Sequence, residues 1–530
     1  MSKAMSKAQA RANPRDEQML KLNPTQNLSH APATRLAPSA LMGAMALLLS
    51  ACATPTAGLN APVAGGANVP TQFSQPIGDV NAKANANADA NTGPGLAADS
   101  AAGNLLAPAW WTRLHDPALS TLVSEVLKQN LSLGVSAVKA RQAALRADQA
   151  VADRWPDVSG RVSTQSTSLL GGGSTTRTSA ATLSATWELD LWGRLAAVRD
   201  AQQWEAQATV DDRQAVALSL AASTVRLYWQ LAYVDQRLAS SRQSLAYARQ
   251  TLALVQAQYK AGSVSGLELA QAQQTVSSQE AAFSALQQSR MEVRESLALL
   301  LDGPTAMARL PEQPQWPQGL VTGPAWPTLN PGLPAQALAR RPDLRAAEGR
   351  LRKAFATVDA TRTSYYPALS LTASVGGSSE SLSRVLSDPL GSLGAALTLP
   401  FLQQGDMRRS VALSQLDADA AVLSFRQTLY QALSDVDKGL SARQRLSEQV
   451  QAQEARLGQS RQVERLTELR YRAGAEPLKT WLDAQESRRT AELALLDARY
   501  NLLSNGVSLI QALGGGNEAL AGVAQAPAAP

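Results

Sequence analysis

The segment TLSATWELDL, residues 182–191, alternates polar and apolar side chains along its whole length. Its apolar side chains fall on one face: Leu183, Ala185, Trp187, Leu189 and Leu191. A period of two residues is typical of a β-strand with one apolar side. The same alternation recurs in residues 369–375 and 393–399. The sequence therefore predicts two β-hairpins, near residues 157–192 and 368–402, with hairpin loops at residues 171–174 and 383–389.

The two hairpins belong to the two halves of an internal duplication. Trp155-Pro156 recurs as Tyr366-Pro367, and the Tyr-x-x-Gly motif that ends at Gly262 recurs with its glycine at Gly474, both at a spacing of about 212 residues. A constant offset between several landmarks indicates a repeat. We place the first repeat at residues 107–302 and the second at residues 335–514. A Pro-rich strap at residues 303–334 separates them, and a disordered tail follows at residues 515–530.

Each repeat contains a long helical hairpin, predicted at residues 194–302 and 406–513. Residues 194–261 contain neither Gly nor Pro and would reach about 100 Å as one helix. A shorter helix, near residues 131–155 and again near 342–366, stops at a proline in each half, because proline cannot continue a helix. Helices of such length need partner helices, since few of their residues can reach a globular core.

The N-terminal region has the features of an export signal. Arg35 precedes an apolar run at residues 36–49 that is too short to span a bilayer and ends in Leu-Ser-Ala-Cys52, which resembles the lipobox of bacterial lipoproteins. We predict a signal peptide at residues 1–51, lipidation of Cys52, and a flexible lipid-anchored tether at residues 52–106. A buried free cysteine is the alternative. Most of the net charge of +6 lies in the leader, which argues against a nucleic-acid partner.

Four strands cannot close a barrel on their own. If their apolar faces lie in lipid, unpaired strand edges would leave backbone groups without hydrogen bonds, so other copies of the chain must complete the sheet. Three copies would give twelve strands, although the residues alone leave two or four open. Aromatic side chains fall where strands meet helices and predict an interfacial belt: Trp155, Trp192, Tyr366 and Phe401.

Further motifs resemble the TolC and OprM type of outer-membrane efflux proteins, also called the NodT family. They are WWTRLHDPALSTLV from Trp110, LARRPDLRAAE from Leu338, LDAQ from Leu482 and QALGGG from Gln511. The resemblance implies an α+β membrane protein: a homotrimer whose twelve-stranded β-barrel continues into a long periplasmic α-helical barrel. It would be the exit duct of a tripartite efflux system, held in the outer membrane by its lipid anchor and extending into the periplasm.

The implied partners are a periplasmic adaptor protein, an inner-membrane transporter of the RND type and outer-membrane lipid. By resemblance, Glu268, Tyr471 and Arg499 form a periplasmic gate in which the arginine bridges the carboxylate and the phenol, and Asp483 contributes to an acidic ring in the lumen. The turns that contact the adaptor would contain Gly262, Ser263, Gly474 and Ala475.

The sequence offers no catalytic constellation or metal-ligand cluster. Outside the leader, the only histidine is His115. We therefore expect neither an enzyme nor a cofactor. The alternative to a channel is a structural periplasmic coiled-coil lipoprotein without a pore.

Overall fold

A computed structural model describes residues 109–168, 175–303, 320 and 339–515. The predicted signal peptide, Cys52, the tether, the loop at residues 171–174, nearly all of the strap and all but the first residue of the tail lie outside these residues.

Among the described residues, both repeats contain a helix, two strands, a long helix and a return helix in the same order. The first repeat contains a 3-10 helix Trp110–Leu114, α1 Pro117–Gln129, α2 Leu131–Ala152, β1 Asp157–Thr167, β2 Thr176–Leu189, α3 Arg194–Lys260 and α4 Gly266–Leu300. The second repeat contains α5 Pro342–Thr363, β3 Ala368–Ser379, β4 Leu390–Thr398, α6 Gln404–Arg472 and α7 Leu478–Ala512, with short 3-10 helices at Leu382–Arg384 and Pro400–Leu402.

The helices before each hairpin end slightly earlier than predicted. α2 ends at Ala152 and α5 at Thr363, and a tighter turn follows each. In these turns the backbone N–H of Trp155 donates to Ala152 O at 2.9 Å, and that of Tyr366 donates to Thr363 O at 3.1 Å. A residue that precedes proline is sterically disfavoured in the α conformation, so the last helical turn tightens instead of continuing.

The four strands form one antiparallel sheet in the order β1-β2-β3-β4, so that β1 and β4 are its edges. The register places Leu183 opposite both Gly160 and Val375, and Trp187 opposite Leu371. The alternating side chains of neighbouring strands therefore stay in phase. One face of the sheet is apolar and the other is mostly Ser and Thr, which confirms the predicted phase of the strands.

The main hydrophobic core lies where the N-terminal helices pack on the middle of α3 and on the ends of α4 and α7. Its fully buried side chains include Trp110, Leu119, Val126, Val225, Leu297 and Ile510. Apart from Gly303 at its start, Leu320 is the one described residue of the strap. It is buried in this core, and its N–H donates to Gln236 Oε1 at 3.0 Å. Among the helices that the structure describes, none has both the length and the apolar character of a transmembrane helix.

Candidate functional site

The apolar face of the sheet is open to the surroundings of the chain. Leu393 is 89% exposed and Val162 is 69% exposed, and both lie in the middle of edge strands. A contiguous apolar surface of this kind is unfavourable in water and suits lipid.

Hydroxyl groups line the opposite face of the sheet. Ser159 Oγ lies 3.0 Å from Ser184 Oγ, and Ser374 Oγ lies 2.7 Å from Ser392 Oγ. These four serines are aligned in one row across the four strands. The sheet thus has an apolar side and a hydroxyl-lined side.

The predicted aromatic residues lie at the junction of sheet and helices. Trp192 Nε1 donates to Pro367 O at 2.8 Å, and its ring meets Tyr366 edge to face at a centroid distance of 5.5 Å. Trp155 is largely exposed and Phe401 partly so. Trp187, which the sequence placed only on the apolar face, also belongs here, because its Nε1 donates to Arg154 O at 3.0 Å. Amphipathic rings with one satisfied polar atom are typical of a membrane interface.

Two helices next to the edge strands carry exposed apolar stripes. On α2 the stripe consists of Leu131, Val135, Val138 and Leu145, and on α6 it consists of Leu413, Leu416, Leu423 and Tyr430. Intervals of three, four and seven residues are those of a coiled-coil seam. α2 leads into β1, and α6 follows β4 after one short turn. These stripes are absent from the sequence-based predictions, although their heptad spacing was a usable signal.

The two helical turns at the far end of the long hairpins have the same backbone geometry. Gly262 and Gly474 both have φ of 73°. The N–H of Gly262 donates to Tyr259 O at 3.0 Å and that of Ser263 to Gln258 O at 2.9 Å. In the second turn, the N–H of Ala475 donates to Arg470 O at 2.9 Å. This is a Schellman helix end, which favours glycine at the left-handed position.

Glu268 is engaged within its own turn. The Ser265 N–H donates to Glu268 Oε2 at 2.9 Å, and the Leu267 N–H donates to Ser265 Oγ at 3.2 Å, so that the two side chains form a capping box at the start of α4. The Ser265 hydroxyl donates to the carboxylate and lowers the pKa of Glu268. The predicted contact of Glu268 with Arg499 is not formed in this chain.

Tyr471 contacts both long helical hairpins. Its hydroxyl donates to Gln258 Oε1 at 3.0 Å, and its ring stacks on Trp481 at a centroid distance of 5.1 Å. It packs against a buried cluster of Val255, Ala272, Leu478 and Trp481, which come from α3, α4 and α7. Sequence reasoning missed Gln258 and Trp481. The position of Trp481 shortly after a polar turn was a usable signal, whereas no sequence feature indicated Gln258.

Arg499 lies far from the turn. It donates from Nη2 to Glu454 at 2.7 Å, which links α7 to α6. Arg499 is 18 residues beyond Trp481 on α7, a separation of about 27 Å along the helix. The prediction that Arg499 bridges Glu268 and Tyr471 is therefore wrong for this chain, because no side chain covers that distance.

Asp483 lies near the turn, on the exposed surface of α7. Its Oδ2 accepts from Lys479 Nζ at 2.6 Å, one helical turn away. Both side chains border a groove between the two hairpins, whose volume is about 370 Å³ and whose other walls include Tyr247, Gln279 and Arg489. Across it, Arg488 Nε lies 2.6 Å from Glu464, whose pKa is raised by burial. The groove is thus lined by charged and amide side chains.

Comparisons with known proteins agree on one family. The family model described as "Outer membrane efflux protein" matches residues 122–303 and 333–515. The chain is 33% identical over 421 residues to the pyoverdine export outer membrane protein OpmQ of Pseudomonas putida, covering 77% of this chain and 88% of that protein. It is 29% identical over 422 residues to the cation efflux system protein CusC of Escherichia coli K12, covering 79% and 91%.

A solved structure has the same fold. The Campylobacter jejuni CmeC outer membrane channel superposes with a TM-score of 0.73 at 22% sequence identity, covering 82% of this chain and 98% of that one.

Proposed function

The chain belongs to the outer membrane efflux protein family and is an outer-membrane efflux channel, and we propose that three copies of it form the exit duct of a tripartite export system. The observation that supports the trimer is the sheet. It has an exposed apolar face, a hydroxyl-lined face and two edges that no strand of the described chain covers.

An open edge is costly in hydrocarbon. Each unpaired backbone group there costs several kcal/mol, so β4 of one copy must pair with β1 of the next. Three copies contribute twelve strands, an even number with room for a hydrated lumen. The hydroxyl-lined face then turns inward and the apolar face meets lipid.

The exposed stripes on α2 and α6 support the same arrangement. When β1 and β4 of neighbouring copies pair, α2 of one copy lies beside α6 of the other, and the two helices run in opposite directions. Leu145 is about 10 Å from the sheet end of α2, and Leu413 is about 14 Å from the sheet end of α6. The two stripes therefore begin at similar heights and can form one antiparallel seam between copies.

The turns at Gly262–Ser263 and Gly474–Ala475 are the proposed contacts with a periplasmic adaptor. The space beside each glycine, where a side chain would begin, contains no other atom within 4 Å, so another protein can approach there. Tyr471 holds the tunnel end closed, Asp483 contributes an acidic ring, and Glu268 acts through the capping of its turn. An inner-membrane transporter of the RND type would supply small-molecule cargo. Lipidation of Cys52 would anchor each copy to the outer membrane.

The experiment that tests the trimer is a cross-link at the seam. Leu145→Cys combined with Leu413→Cys should yield a covalent trimer on oxidation, visible on a non-reducing gel. The matched control pairs Leu145→Cys with Gln415→Cys, which is exposed on the other side of α6. The purified trimer should also conduct ions in a planar bilayer. A chain that neither cross-links nor conducts would favour the pore-less structural lipoprotein.

A further inference from the structure

We propose that Arg161, together with the row of serines beside it, makes the barrel segment of this channel selective for anions and for anionic groups of the cargo. The inference rests on the proposed function, because the side chains surround a lumen only if three copies close the barrel. The observations that support it are the strand register and the distribution of charge on the sheet.

Arg161 lies on the hydroxyl-lined face of the sheet. On β1 it alternates with the apolar residues Val158, Gly160 and Val162, and it shares its face with Ser159 and Ser163. Its partner on β2 is Thr182, which in turn is paired with Gly376 on β3. The side chain is exposed. In the closed barrel this face is the inner one, so the guanidinium projects into the lumen.

The serine row lies immediately below Arg161. Ser159, Ser184, Ser374 and Ser392 face one another across the four strands. Two residues along a strand correspond to about 7 Å, a distance that an arginine side chain can reach. With three copies, the hydroxyls continue around the barrel as a staggered ring. Hydroxyl and guanidinium groups are both donors that bind chloride, carboxylate or phosphate oxygens.

No carboxylate lies beside Arg161 within the strands, and Glu188, at the far end of β2 on the same face, is paired with Arg194 Nη2 at 2.7 Å. Between Asp157 and Glu188 the sequence contains no Asp or Glu, and its only charged residues are Arg161 and Arg177. β3 and β4 contain no charged residue at all. Asp157 is four residues from Arg161, about 13 Å along the strand. Three Arg161 side chains at one height therefore create an uncompensated positive ring.

Arg177 provides an internal control. The register pairs it with Ser166, which places it on the same face as Leu183, the lipid side, close to the start of β2. An arginine there can extend to the lipid headgroups. It has the same charge and lies in the same hairpin, but it does not line the lumen.

The first test is the reversal potential of purified trimers in a planar bilayer under a KCl gradient. Replacing Arg161 in R161Q should lower the permeability of chloride relative to potassium by about threefold near 0.1 M salt, and by less at 1 M, where charges are screened within about 3 Å. R161K should keep the wild-type ratio, and so should R177Q. An unchanged ratio in R161Q, or an equal change in R177Q, would overturn the inference.

The second test does not depend on the periplasmic end of the tunnel. Ser163→Cys places a thiol one step from Arg161 on the same face. Added from the outer mouth, a negatively charged methanethiosulfonate should react faster than a positively charged one, and adding R161Q should abolish that preference. If the preference persists, the inference fails while the channel stands. If wild-type trimers do not conduct, the proposed function fails first.

Discussion

Gln258, Tyr471 and Trp481 come from three different helices and meet at one point near the turns of the long hairpins. The hydrogen bond between Tyr471 and Gln258 joins α6 to α3, and the stack on Trp481 joins α6 to α7. A largely buried ring stack with a satisfied hydroxyl is worth more than the exposed Lys479–Asp483 ion pair, because exposed charges interact through water. The contact between the two hairpins at this level is therefore mainly aromatic packing.

If this contact closes the tunnel as proposed, Trp481→Ala should loosen that end. Trp481 is only 6% exposed, and removing a buried tryptophan side chain typically costs about 3–5 kcal/mol. The helical hairpins should then separate more readily and raise the single-channel conductance in planar bilayers. Trp481→Phe should behave like the wild type.

Arg499→Ala is the matched comparison, since this residue lies about 27 Å away along α7. It should leave the conductance unchanged. A rise with Arg499→Ala and none with Trp481→Ala would return the gate to the position that resemblance alone suggested.

Among the secondary-structure elements, the strands decide which surface meets lipid. Leu393 lies near the middle of β4 on the apolar face, and Ser392 is its neighbour on the hydroxyl-lined face. The two positions differ in little except the direction of the side chain. They therefore allow the two faces to be compared within a single strand.

Leu393→Arg should prevent stable insertion, whereas Ser392→Arg should be tolerated. A lipid-facing arginine in a transmembrane barrel costs about 2–4 kcal/mol per copy at the bilayer midplane, while a lumen-facing one stays hydrated. The measurement is the amount of heat-modifiable trimer in the outer-membrane fraction. Equal loss for both variants would mean that the apolar face does not contact lipid.

The sequence predicted periodic features well and contacts between distant residues poorly. The alternation gave the correct faces for residues 182–189, because backbone geometry alone sets a period of two, but the predicted strand extends two residues beyond the end of β2 at Leu189. The long helices followed from the absence of Gly and Pro. The partners of Tyr471 depend on how four helices pack, which no local pattern records. Arg499 was assigned to the gate by resemblance, and the helical distance along α7 would have excluded its contact with Tyr471.

In the whole molecule, two anchoring devices of different kinds coexist in the proposed trimer. The sheets hold the channel in the membrane by burying apolar surface, and the lipid on Cys52 would add a second attachment to each copy. The barrel would bury the apolar faces of twelve strands in hydrocarbon, an attachment that does not depend on the lipid. The lipid should therefore assist sorting and assembly, while the barrel provides the permanent attachment.

Cys52→Ser should abolish incorporation of labelled palmitate without releasing an assembled channel from the membrane. The chain contains one cysteine, so no other thiol can carry the label. Metabolic labelling followed by membrane fractionation measures both effects. Palmitate retained by the Cys52→Ser protein would disprove the assignment of the lipidation site.

The uncovered edges of β1 and β4 have a genetic consequence. A copy whose β4 edge cannot pair still has an intact β1 edge. It can therefore join two normal copies and leave the barrel unclosed. When normal and damaged chains are made in equal amounts and mix freely, only about one eighth of the trimers are wholly normal. Such an allele should be dominant, and a cell that carries it beside an intact copy of the gene should export poorly.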